Sequence, residues 1–139
     1  MTNIHGKIEF EINYKKALEA ILYVSSKREK VNVYNLLKAI FEADKWHLNQ
    51  HGRPVTGDIY MRMQYGTVPS AIYDMLKQEP LPLVFLNLDA YPFEKDSHYI
   101  KAKRESDLSL LSESDVEALE VGLAKYIDLP FEQVLATNH

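Results

Sequence analysis

The sequence predicts an α+β fold, mainly α-helical, with four to six helices and a small antiparallel β-sheet of two or three short strands. Three observations carry that expectation. Apolar residues recur at i, i+3 and i+4 over two segments, 17–22 and 36–48, as amphipathic helices require. Residues 57–66 alternate with period two instead, the pattern of a strand. Near the end, Ser112-Glu113-Ser114-Asp115 opens a third long helical stretch with acids in its first turn, where the helix dipole favours them.

In chain order, residues 14–27 form the first helix. Ala17, Leu18, Ile21 and Leu22 make its stripe, and Asn13 is placed to cap the free amides of the first turn. The polar run 25–30 ends it in a short linker. Residues 33–51 form the second helix, with Leu36, Leu37, Ile40, Phe41, Asp44 and Leu48 on one face and Asn32 as cap. Gly52 follows where a left-handed terminating residue is wanted, and Pro54 cannot continue the helix. Asp44 interrupts an apolar stripe, so it reads as a buried acid that needs a partner.

Ile59, Met61, Met63 and Tyr65 then alternate with Tyr60, Arg62 and Gln64, a short half-buried strand. Gly66 and Pro69 turn the chain into a helix through residue 78, with Ile72, Tyr73 and Leu76 inward. Pro80 and Pro82 break it. Residues 83–88 and 98–103 read as two further strands, joined by a loop carrying Pro92, Glu94 and Asp96. Val116, Leu119, Leu123 and Tyr126 line the last long helix, and Pro130 separates it from a final helical turn at 131–135. No internal repeat appears.

The 139 residues suit one domain spanning 1–139, large enough to bury a core without covalent staples. There is no cysteine, which removes disulfides, thiolate catalysis and thiolate zinc sites. Apolar residues at 46% and charged residues at 26% match a soluble globular protein. No secretory signal and no apolar run of about 18 residues is visible, so a cytoplasmic location without membrane contact is expected. Charge is uneven: residues 1–70 carry ten Lys/Arg against seven Asp/Glu, and residues 71–139 carry six against thirteen. Phosphate-backbone binding wants a basic stripe, so direct nucleic-acid binding is not expected. The acidic half reads first as a solvated helix surface, and otherwise as a face for a basic protein partner.

Reactive chemistry is sparse. His47 and His51 stand four apart, with Asp44 one turn earlier, a spacing that lets three ligands face one metal. A hydrolytic zinc helix would carry glutamate beside the first histidine, and position 48 is leucine. Histidines near a helix C-terminus are also favoured there by the dipole. No G-x-S-x-G elbow is present, and Gly52, Gly57 and Gly66 are too widely spaced for a phosphate-binding loop. No catalytic residue, metal or cofactor is therefore expected, and a small metal-dependent hydrolase on Asp44, His47 and His51 stands only as an alternative. The nine Tyr, five Phe and one Trp are more informative, because tyrosine and tryptophan are enriched in protein interfaces.

Three segments occur in a recognisable order: Ala43-Asp44-Lys45-Trp46-His47-Leu48, then Gly52-Arg53-Pro54-Val55-Thr56-Gly57-Asp58, then Tyr65-Gly66-Thr67-Val68-Pro69-Ser70 with Tyr73-Asp74. With Leu111 to Asp115 and the final Thr137-Asn138-His139, they make the chain resemble the SocA-like Panacea antitoxin domain, often described as phage-associated. Thr67 stands where that family usually has proline, and His51 where an aromatic is common. The resemblance implies an antitoxin that neutralises a cognate toxin, encoded next door, by direct protein–protein binding. One type within the family acts instead as a proteolytic adaptor delivering the toxin to a protease. In physical terms Gly52, Pro54, Gly66 and Pro69 shape the turns, with His47, Gly57, Val68 and Tyr73 completing the motif. Asp44, Arg53 and Asp58 are expected to form one charge-assisted network holding the turn rigid. That turn would present Trp46, Tyr60, Arg62 and Tyr65 to a partner, rigidity lowering the ordering cost of association.

Overall fold

The molecule is built around one helix, α2 (Val33–His51), whose Leu36, Leu37, Ala39, Ile40 and Ala43 are fully buried. Such a helix is wetted on little of its surface and must be wrapped by its neighbours. The computed structural model describes residues 11–64 and 66–136. Helix α1 (Tyr14–Ser25) and helix α5 (Glu113–Tyr126) pack on α2, with α5 making the most extensive contact. Gly122 allows that closeness, since a Cβ there would sit 2.9 Å from the carbonyl carbon and 3.2 Å from the Cα of Ala39. Helix α6 (Phe131–Ala136) returns along α2.

Caps follow the sequence closely. Asn13 Oδ1 accepts from the Lys16 N–H at the start of α1, and Asn32 Oδ1 from the Tyr34 N–H at the start of α2. Gly52 ends α2 in the left-handed conformation (φ 77°), its N–H donating to the Leu48 carbonyl. Ser112 and Asp115 form a reciprocal capping box on α5.

Two antiparallel sheets flank the helices. One has the order β1-β5-β4, from β1 (Val31–Asn32), β4 (Phe93–Asp96) and β5 (Tyr99–Ala102). The other is a hairpin of β2 (Tyr60–Met63) and β3 (Gly66–Pro69), with Met61 opposite Val68. Between them lie α3 (Ser70–Leu76) and α4 (Leu81–Leu86). A short 3₁₀ turn, Leu108–Leu110, precedes α5. The mainly helical α+β class and the count of helices agree with the sequence.

Three local expectations give way. Residues 83–88 do not form a strand; Leu81–Leu86 is helix α4, with Pro82 in its first turn, where a missing N–H costs nothing. Short apolar runs do not separate strand from helix by period. Residues 93–96, expected as loop, are strand β4, because only Phe93 turns inward while Glu94, Lys95 and Asp96 face water on an edge. Strand β1 escaped notice, since two residues have no period to read. In the hairpin, the apolar side chains of β2 are not core-facing: Met61 and Met63 are exposed, as is Ile59 just before the strand, while Val68 opposite Met61 is buried. The inner strand β3 packs on α2, and β2 is the outer edge.

Candidate functional site

The turn that leaves α2 is held by three carboxylates, each doing a separate task. Asp44, only 3% exposed, points from the last third of α2 into the chain that follows. Its Oδ1 accepts from the Val55 N–H (2.8 Å) and the Thr56 N–H (2.9 Å), and its Oδ2 from the Thr56 hydroxyl (2.7 Å) and the Tyr60 hydroxyl. One buried acid thus satisfies two backbone amides and two hydroxyls that water cannot reach. Burial pushes its carboxyl above the ordinary aspartate range, against the downward pull of those four donors. Tyr60 is raised well above a normal phenol, by burial first and then by the Asp44 charge, so its hydroxyl stays a donor.

Asp58 works fourteen residues later. It accepts from the N–H groups of Ile59 (2.7 Å), Ala71 (2.9 Å) and Ile72 (2.9 Å), joining the β2 approach to the first turn of α3. Helix α3 has no side-chain cap from its own N-cap residue, Pro69, and Asp58 replaces it. Burial again raises this carboxyl, opposed by the three amides. Gly57 carries φ 77°, and a Cβ there would lie 3.0 Å from the Glu11 carbonyl carbon, so glycine is required twice over.

The third carboxylate is Asp115, fully buried at the start of α5. Lys16 of α1 reaches it at 2.6 Å, Arg53 at 3.0 Å, and the Ser112 N–H donates to it at 2.9 Å. Burial alone would raise its pKa; Lys16, the Ser112 amide and Arg53 together hold it below the usual range. This corrects the expected network: Arg53 leaves Asp44 and Asp58 alone and bonds instead to Asp115, Ser112 Oγ and the Pro54 carbonyl. Asp44 and Asp58 need no cation because backbone amides already surround them.

His47 is fully buried beside this junction. Its Nδ1 lies 2.6 Å from the Arg53 carbonyl, an acceptor only, so Nδ1 carries the proton. Its Nε2 lies 2.8 Å from Ser114 Oγ and 3.5 Å from Asp115 Oδ1. A serine hydroxyl against a histidine nitrogen is also a nucleophile–base arrangement. Here the ring is sealed and oriented by a backbone carbonyl, and the principal surface grooves open elsewhere. Both ring nitrogens are committed, and among the described residues no cluster of three metal-ligating side chains forms. His51 lies tilted against His47 with 4.7 Å between ring centres, while Asp44 points away to its amides.

The aromatic and basic candidates separate. Tyr60 rests on Phe41, ring centres 5.1 Å apart, with its hydroxyl turned to Asp44. Trp46, two residues and so about 200° around the helix from Asp44, packs against His51 on another side of α2. Arg62 is exposed on the outer strand. Tyr65 lies outside the described residues, as does the Thr137-Asn138-His139 ending. Gly52, Pro54, Gly66, Val68 and Pro69 shape the two turns, and Tyr73 lies half-buried on α3 beneath the Lys77 ammonium, 4.6 Å from its ring centre.

Sequence reasoning missed Asp115 and Lys16 as partners of the turn. Only the S-x-x-D capping box hinted at Asp115, and its second use as an ion-pair hub has no sequence signature. It also missed Glu19, a buried acid of α1 held by Arg104 through two bonds of 3.0 and 2.9 Å. No helix among the described residues is long and apolar enough to cross a membrane.

The arrangement is a brace: α2, the turn, α3 and α5 are locked by acids that face inward. Comparison with curated proteins and with solved structures finds no match. The family description "Antitoxin SocA-like, Panacea domain" matches residues 36–139, which take in most of α2, both braced turns and the α5 junction. That match covers most of the chain, with Asp44, Asp58 and Asp115 inside it, and the chain belongs to the SocA-like Panacea antitoxin family.

Proposed function

We propose that this chain is the antitoxin of a toxin–antitoxin pair and neutralises its toxin by direct, stoichiometric binding. Family membership supports an antitoxin role. The observation that carries the binding reading is the uneven use of side chains. Asp44, Asp58, Asp115, His47 and Arg53 are committed to the frame, while large apolar side chains stay uncovered on the outer strand and on α4. Contiguous exposed apolar surface marks protein–protein interaction sites and ligand-binding grooves. Within this reading Arg62, Met61 and Met63 belong to the recognition surface, and Tyr60 supports them from behind.

The test is co-expression with the protein encoded beside it. Restored growth together with a stable complex of both chains supports neutralisation by binding. Restored growth with falling toxin levels and no stable complex replaces it with the adaptor reading. A neighbour that is not toxic, or toxicity unchanged by the chain, removes the antitoxin reading.

A further inference from the structure

Helix α4 is apolar on all sides yet sits at the surface. Pro82 and Leu86 turn inward, while Leu81 (63% exposed), Val84 (72%) and Phe85 (58%) face outward, followed by exposed Leu88 just past the helix end. A helix apolar all round belongs in an interior, so its outer side is built to be covered. Next to it, an open groove of about 990 Å³ runs between α4, the start of α1 and the approach to β2. Phe85 stacks flat on Tyr14 with ring centres 4.8 Å apart, and Leu81 and Ile59 (71% exposed) supply further apolar lining.

Among the described residues, the charged lining of this groove has one sign. Glu11, Asp58, Asp74 and Glu79 border it, and among the described residues no lysine, arginine or histidine does. Asp58 is turned onto its amides, leaving three carboxylates at the rim. Lys77, outside the lining, approaches Asp74 at 3.6 Å and Glu79 at 4.0 Å, which offsets one charge of the three. Tyr91 nearby is pushed up to about 12, by burial first and then by the charges of Asp74 and Glu79. An apolar floor inside an acidic rim fits apolar anchors interleaved with cations, and mismatched charge would be repelled.

We infer that this groove is the docking site for an amphipathic segment of the toxin whose apolar anchors are flanked by lysine or arginine. The inference rests on the antitoxin reading for the identity of the partner, and its chemistry rests on Ile59, Leu81, Phe85 and the acidic rim.

The experiment uses the full chain and a fluorescent amphipathic peptide with leucines at helical spacing and lysines between them, beside an isostere carrying glutamates. The basic peptide should bind, and the acidic one should not. Phe85→Asp, and separately Glu11→Lys with Glu79→Lys, should each weaken binding about tenfold or more. All three positions are exposed, so unchanged thermal melting certifies the fold. Val84→Asp, on the same helix but outside the groove, should bind as the parent does. Equal binding of both peptides, no binding of either, equal loss at Val84 and Phe85, or a self-dimer abolished by Phe85→Asp would each overturn the proposal.

Toxin neutralisation separates the two readings. If the parent chain restores growth and the groove variants restore it equally, the groove proposal falls and the antitoxin reading stands. If the parent does not restore growth, the antitoxin reading falls, and the peptide measurements alone decide what the groove accepts.

Discussion

Asp44→Ala should destabilise the fold by about 3–4 kcal/mol, and Asp44→Asn by only about 1 kcal/mol. The Val55 and Thr56 amides, both buried, lose their acceptor in the alanine variant, at roughly 1–3 kcal/mol each. The Thr56 and Tyr60 hydroxyls can rotate toward other partners and add less. Removing the carboxylate also relieves the cost of holding a charge away from water, which places the expected figure below the full sum. Asparagine keeps an oxygen for the two amides and turns its NH₂ toward two hydroxyls that can accept. At about 2–4 °C per kcal/mol for a chain approaching 150 residues, the alanine variant should melt roughly 10 °C lower. Urea unfolding followed by circular dichroism reads the difference, and hydrogen exchange at Val55 and Thr56 should accelerate in alanine before asparagine. Equal losses in the two variants, or a loss below about 1 kcal/mol for alanine, would refute the claim that amide satisfaction by Asp44 holds the turn.

Gly122→Ala should destabilise by about 2 kcal/mol or more although alanine is the better helix former by roughly 1 kcal/mol, because the added carbon meets the backbone of Ala39 rather than a movable side chain. A rise in melting temperature would show that α2 and α5 are not so closely apposed. Asp58→Ala should cost about 1–2 kcal/mol by uncapping α3, read by chemical denaturation, and unchanged stability would mean the Ala71 and Ile72 amides find other acceptors. Asp115, held below the usual carboxylate range, contributes stability that is present above the unfolded value of about 3.9 and lost as pH falls through its lower folded value. Stability of Asp115→Asn should therefore be lower near neutrality but fall less steeply below about pH 4. Parallel profiles would remove Asp115 as the hub. Asp44 and Asp58, raised by burial, act in the opposite sense, losing stability as pH rises through their folded values, so the parent-minus-variant difference isolates Asp115.

The parts of the fold legible in the sequence are those governed by local chemistry. Asn13, Asn32, Gly52 and the Ser112–Asp115 box mark helix ends because capping acts over three or four residues. Asp44 was conspicuous because it broke an apolar stripe. Its true partners lie 11 to 16 residues ahead, and half of them are backbone amides, which every residue type but proline shares, so composition could not name them. Arg53 was misassigned for a related reason: two acids were near in sequence, whereas the one it meets is 62 residues away. Helix α4 was hidden because its outward side is as apolar as its inward side, erasing the period that separates helix from strand. The same feature that defeated the sequence reading makes α4 a docking element.

The molecule thus divides its side chains between two tasks that can be perturbed independently. Asp44 and Gly122 act on partner binding only through the fraction of folded protein, because each meets only other parts of the same chain. Ile59, Leu81 and Phe85 are largely exposed, so charged replacements there leave folding nearly intact and act on binding directly. A rigid frame makes this separation useful. With α3, the β2 approach and α1 fixed by Asp58 and Asp115, the groove between them does not have to be ordered at the moment of binding, and a flexible partner segment bears that entropy alone. Loosening the frame without unfolding it, as Asp58→Ala does, should therefore weaken association beyond what the loss of folded protein accounts for.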